Sequence, residues 1–241
     1  MRTEPMEPYG RALLDYNRGK AEATLIIQRD DGLVSELPIA SFFREPPEFF
    51  DLERIALDNC RGPVLDAGAG AGCHSLVLQE RGITVTAIDI ASQAVEIMSD
   101  RGVIDARQAD AMTFTGGPFA TILILGRSIG MVGTLSGLDR YLLHARSLLE
   151  PDGQIILNSL DVRQTSDPVH LAYQEANRQA GRYEGEIRFR FEYDGCRSDM
   201  FSLLHVDAQT LAEKAGKAGF VCKILYEDQN GDYLVRLKLA N

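Results

Sequence analysis

The residues with most chemical content form the run Val64-Leu65-Asp66-Ala67-Gly68-Ala69-Gly70-Ala71-Gly72, where a short apolar stretch ends in a carboxylate and glycine then fills every second position. Such glycines let the backbone take positive φ and let a ligand approach the main chain closely. The run leads into a helix starting near His74, and a helix N-terminus favours anionic ligand groups. Two further acids follow, Asp89 after Thr84–Ile88 and Asp110 in Gln108-Ala109-Asp110-Ala111-Met112. A carboxylate at the end of a strand can accept charge-assisted hydrogen bonds from a pair of hydroxyls. Each acid also has a plain structural use: Asp66 can cap the turn and helix, and Asp89 and Asp110 can be solvated loop residues.

These residues need strand ends to hold them, and the surrounding pattern supplies strands. Pro63–Asp66, Thr84–Asp89, Val103–Gln108, Phe119–Leu125 and Gln154–Leu160 read as strands, the last after a Pro151-Asp152-Gly153 turn. Helices are expected between them over His74–Arg81, Ser92–Arg101 (with Ser92 as N-cap) and Leu138–Leu149. Phe119–Leu125 is nearly all apolar, as a central parallel strand covered on both faces must be. The alternation predicts an α/β fold with a doubly wound, mostly parallel sheet. Before it, residues 8–18 read as a helix, Ala23–Gln28 and Leu33–Leu37 as paired strands, and Glu48–Asn59 as a helix. Residues 1–60 are therefore expected to form an N-terminal lid, and 61–241 the main domain. Within that domain, 161–206 breaks the rhythm as an insertion after the fifth strand. It holds a helix over Val169–Ala180 and an alternating strand, Ile187–Tyr193, that turns at Asp194-Gly195 and returns over Met200–Val206. A helix over Leu211–Gly219 and a strand pair, Val221–Glu227 and Tyr233–Leu239, end the chain.

Two nucleotide-cofactor classes compete for the glycine run. A dinucleotide fingerprint needs G-x-G-x-x-G, but counting from Gly68 the last position is Cys73, and from Gly70 it is Ser75. The pattern present, D-x-G-x-G-x-G, resembles motif I of the class I S-adenosylmethionine (SAM) dependent methyltransferases, and the resemblance extends over roughly residues 60–160 and 207–239. It implies a seven-stranded Rossmann-like methyltransferase sheet whose reversed strand comes from the 221–239 hairpin. It also implies SAM as cofactor, with S-adenosylhomocysteine as product. On this reading Asp66, Ala67, Gly68, Ala69, Gly70 and Gly72 form the cofactor loop. Asp89 with Ile90 takes the ribose, Asp110 with Ala111 the adenine, and Gly126 and Arg127 lie near the methionine part. His74 joins the helix N-terminus in holding the carboxylate. An acid about 20 residues after the loop also occurs in dehydrogenases, so an NAD(P)-dependent oxidoreductase and a SAM-binding protein without turnover stay open beside the methyltransferase.

The acceptor is read mainly from absences. Gly126-Arg127-Ser128-Ile129 follows the fourth strand, in place of the Asn/Asp-Pro-Pro-aromatic tetrapeptide of amino-group methyltransferases acting on adenine or glutamine. No cysteine lies there, against cytosine C5 methylation, and no His/Asp/Glu cluster suggests a metal. What remains is a small-molecule acceptor. Tyr16, Phe43, Arg127, His170, Arg182 and Tyr183 are its candidate contacts, and His170 and His205 the candidate bases. Tyr9 and Phe42 are further lid candidates. Lys plus Arg total 25 against 35 Asp plus Glu, a net charge of −10, which argues against a nucleic-acid or anionic-membrane partner. Cys60, Cys73, Cys196 and Cys222 are unpatterned, as in a reducing cytoplasm. The start, Met1 to Pro8, is acidic and proline-broken, unlike a signal peptide. The insertion hairpin is expected to serve as a lid or as a homodimer contact.

Overall fold

The computed structural model describes residues 6–240. Its elements, in chain order, begin with α1 (Glu7–Asn17), β1 (Thr24–Arg29), β2 (Val34–Pro38) and α2 (Asp51–Asp58). Next come β3 (Val64–Ala67), α3 (Cys73–Glu80), β4 (Val85–Asp89), α4 (Ser92–Asp100), β5 (Ala106–Gln108), β6 (Phe119–Ile124) and α5 (Leu135–Ser147). The rest are β7 (Leu149–Leu160), α6 (Pro168–Gln179), β8 (Glu186–Tyr193), β9 (Cys196–Arg197), β10 (Phe201–Leu204), α7 (Ala208–Lys217), β11 (Phe220–Glu227) and β12 (Asp232–Leu239). Seven strands, β3 to β7 with β11 and β12, make a mostly parallel sheet. The described residues divide into two compact units: those up to Phe50 with Gly62–Phe114 and Arg188–Phe201, and Asp51–Arg61 with Thr115–Ile187 and those from Ser202 onward.

In the first unit β3 and β4 run parallel, Val64 opposite Val85 and Ala67 opposite Ile88, and β5 continues the sheet with Asp89 opposite Gln108. Every residue of β3 and β4 is buried. Their side chains leave the water in both directions, as parallel strands sandwiched between helices must. A second, antiparallel sheet pairs β1 with β2 and with β8. Helix α1 packs on α4, and glycine allows the approach: a Cβ at Gly10 would collide with the Gln93 side chain. Gln93 also donates to Glu7 at 3.1 Å.

The second unit carries β6, β7, β12 and β11. β6 and β7 are parallel, β12 is antiparallel to β7, and β11 is antiparallel to β12. β12 thus supplies the reversed strand. All six residues of β6 are buried. Thr134, Asp167 and Asp207 cap α5, α6 and α7 by accepting main-chain N–H bonds.

Three local expectations change. Pro151-Asp152-Gly153 is extended inside β7. Leu149 pairs with Phe119 and Gln154 with Thr121, so five steps along β7 face two along β6, and the Pro-Asp-Gly segment is absorbed as a bulge. Ser92 is the first residue of α4 and not its cap. The cap position falls on Ala91, whose N–H is taken by Asp89 Oδ1 at 2.9 Å, and the Ser92 hydroxyl donates to Gln93 Oε1 at 3.3 Å. The return after Asp194-Gly195 comes in two pieces, β9 and then β10 inside the expected 200–206, with an interruption at Ser198, whose hydroxyl, in place of a main-chain carbonyl, accepts the Phe191 N–H at 3.0 Å.

Candidate active site

β3 delivers Asp66 to a buried position, and the loop beyond it turns on three glycines with positive φ: 79° at Gly68, 58° at Gly70 and 80° at Gly72. The left-handed region costs an L side chain about 1–2 kcal/mol, which glycine avoids. Gly68 and Ala69 both donate N–H bonds to the Ile88 carbonyl, at 2.9 and 3.0 Å, so the loop is fastened to β4. Arg101 fastens it from the other side, its Nη1 donating to the Ala71 carbonyl at 2.7 Å while its guanidinium lies 5.2 Å from the Phe43 ring centroid.

Asp66 receives one hydroxyl, Ser75 Oγ at 2.6 Å from its Oδ2. Burial raises its carboxyl above the usual range, against the lowering effect of nearby His74 and of Ser75. His74 is buried with its ring 5.3 Å from that of Phe49. At the end of β4, Asp89 accepts N–H bonds on both oxygens, from Gly70 at 3.0 Å and Ala91 at 2.9 Å. Burial raises its carboxyl too, partly offset by those amides. A carboxylate has about four acceptor sites, so each oxygen keeps room for another donor, which suits a vicinal diol. Asp110 folds its Oδ1 onto the Met112 N–H at 2.9 Å and is partly exposed. Ile90 is partly buried and Ala111 buried. Tyr16 and Phe43 stack at 4.6 Å between centroids, and Tyr9 contacts Phe42 edge-on at 5.2 Å.

In the second unit, Gly126 and Arg127 follow β6 with φ of 65° and 59°. The Arg127 N–H donates to Asn158 Oδ1 at 3.0 Å, and its guanidinium grips Asp232 in a fork at 2.9 and 2.5 Å. Tyr183 donates to the buried Asp207 at 2.6 Å, and Arg182 donates to Asn177 at 2.9 Å. His170 lies on α6, half-buried. His205 follows β10, and burial together with the nearby Arg127 charge lowers its pKa to about 4. Sequence reading missed Ser75, Arg101, Asn158 and Asp232. Ser75 was visible as a hydroxyl one turn into the helix, and Asn158 as an amide inside an apolar strand. Nothing local marks Arg101 or Asp232.

A sequence profile described as a methyltransferase domain matches residues 43–222. A SAM-dependent methyltransferase from Bacteroides fragilis, solved with S-adenosyl-L-homocysteine, is 35% identical, superposes with a TM-score of 0.86, and is matched over 99% of this chain and 97% of that one. This chain belongs to the SAM-dependent methyltransferases. More distant structures share the fold. A methyltransferase from Streptomyces caelestis is 12% identical over 83% of this chain and 92% of its own, with a TM-score of 0.60. A sugar N-methyltransferase from Streptoalloteichus is 15% identical over 84% and 92%, with a TM-score of 0.55. The cofactor of the methyltransferase is therefore SAM. Among the described residues no helix is long and apolar enough to cross a membrane.

Proposed function

We propose that this methyltransferase holds SAM on the first unit's glycine loop and passes its methyl group to a small-molecule acceptor. The observation that carries the cofactor site is the joint geometry of Gly68, Gly70 and Gly72 with the buried Asp89. Asp89 accepts the ribose hydroxyls, with Ile90 beside it, and Asp110 accepts the adenine amino group, with Ala111 beside it. Asp66 and Ala67 support the turn from within. The N-terminal turn of α3, with His74, faces the carboxylate end, and Ala69 lines the loop. Gly126 and Arg127 lie toward the methionine end through their main chain, since the Arg127 guanidinium is engaged by Asp232.

Bound SAM supplies an electrophilic methyl on a sulfonium. The protein's task is alignment and exclusion of water, and alignment alone supplies up to about 7–11 kcal/mol of barrier reduction. Residues 1–60 serve as the cover, with Tyr16 and Phe43 on the acceptor side. The segment 161–206, with His170, Arg182 and Tyr183, completes the acceptor site or a dimer contact, and His170 or His205 is the candidate base. A net charge of −10 supports a small acceptor over a nucleic acid, and the four unpatterned cysteines support a cytoplasmic protein. Asp89→Ala tests the site. It removes hydrogen bonds to a charged group, worth about 1.5–3 kcal/mol, so calorimetry with S-adenosylhomocysteine should show affinity falling roughly 10- to 150-fold. Unchanged affinity removes Asp89 from the site.

A further inference from the structure

The glycine loop has a neighbour that the assignments above leave without a task. Tyr9 sits on the first turns of α1, and its hydroxyl lies over the loop. A Cβ built on Gly70 would come within 3.2 Å of Tyr9 Oη and 3.6 Å of Phe42 Cδ1. The ring is fixed from both sides, by Phe42 edge-on at 5.2 Å and Phe191 at 6.3 Å. The helix that carries it is seated on α4 through Gly10 and the Glu7–Gln93 hydrogen bond. Tyr9 Oη makes no hydrogen bond to the described residues. Burial, followed by the Asp89 and Cys73 charges, holds its phenol well above the usual range, so it stays a neutral O–H donor throughout the physiological range. The hydroxyl is not one of the buried orphan polar atoms, so it stays open to a partner from outside the chain, water or a ligand acceptor.

The acceptor atom follows from the surroundings. Asp89 offers only acceptor oxygens, so a phenol acting as donor is complementary to a different part of the ligand. Cys73 is the first residue of α3, whose N-terminal amides favour an anion. We propose that Tyr9 is a direct cofactor contact, its hydroxyl donating to the carboxylate at the amino-acid end of the cofactor. This rests on the glycine-loop site proposed above.

The test is Tyr9→Phe in the full chain, with S-adenosylhomocysteine and 5′-methylthioadenosine, which lacks the amino-acid end, as probes. Calorimetry should show S-adenosylhomocysteine affinity falling roughly 10- to 100-fold, the scale of a hydrogen bond to a charged group, with methylthioadenosine affinity unchanged. Ligand-free Tm should stay the same or rise, because the removed hydroxyl had no partner, while the Tm gain from S-adenosylhomocysteine shrinks. S-adenosylhomocysteine affinity within two-fold of the parent protein overturns the proposal. An equal loss with both probes places the contact at the ribose and overturns the carboxylate assignment. If the parent protein binds S-adenosylhomocysteine and Asp89→Ala leaves that binding intact, the loop site itself fails, a result distinct from failure of Tyr9 alone.

Discussion

Gly70→Ala separates two costs that the structure assigns to one position. The backbone there has φ of +58°, which penalises any L side chain by about 1–2 kcal/mol. The added methyl would also lie 3.2 Å from Tyr9 Oη, tighter than ordinary contact, against a ring that Phe42 and Phe191 hold in place. A total near 2 kcal/mol corresponds to a fall in Tm of roughly 4–8 °C in a chain of this size. Gly82→Ala provides the control, since φ is +76° there and nothing lies within 4 Å of its Cβ. It should carry the backbone cost alone. Adding Tyr9→Phe to Gly70→Ala should recover the contact part and leave the backbone part. Differential scanning calorimetry reads all three variants against the parent protein, and titration with S-adenosylhomocysteine should show weakened binding for Gly70→Ala and not for Gly82→Ala. The reasoning is refuted if Gly70→Ala costs no more than Gly82→Ala and binds the cofactor product normally.

Ser75→Ala removes the hydroxyl donor from buried Asp66 and should cost about 1–3 kcal/mol at pH 7. Because Ser75 favours the ionised carboxyl, that penalty should shrink on acidification through the folded-state pKa, which burial holds above 3.8; a penalty constant with pH in urea unfolding would contradict this. His205 makes the fold acid-sensitive. Its pKa is lowered from 6.5 to about 4, so it contributes nothing above pH 6.5, and stability is lost between pH 6.5 and 4 as the unfolded chain takes the proton first. The loss is on the order of 3 kcal/mol, and His205→Gln should flatten that part of the stability–pH curve. Tyr183→Phe should lower Tm by roughly 3–12 °C through its lost bond to Asp207, a hydrogen bond to a charged group worth about 1.5–3 kcal/mol. An unaltered Tm would show that bond to be unimportant.

What the sequence made legible was local. The β3–glycine–α3 passage is specified by neighbours within ten residues, and its acid and glycines fall where the spacing puts them. β6 was equally plain, because a nearly all-apolar run has few other uses. Four of the misreadings share one cause, a partner distant in the chain. Pro151-Asp152-Gly153 reads as a turn in isolation and becomes a bulge only because β6 pairs with both of its flanks. Arg127 looked free to meet a ligand until Asp232, 105 positions later, closed on its guanidinium. Tyr183 offered an open hydroxyl in sequence and is spent on the residue that caps α7. Tyr9 could be assigned to a lid, but its placement over Gly70 depends on α1 docking against α4.

The most direct measurement is a crystal structure of the full chain with S-adenosylhomocysteine. The account predicts ribose hydroxyls within hydrogen-bonding distance of the Asp89 carboxylate, the adenine amino group on Asp110, and the amino-acid carboxylate between the start of α3 and Tyr9 Oη. A ligand bound away from the glycine loop, or one whose ribose does not meet Asp89, would contradict it.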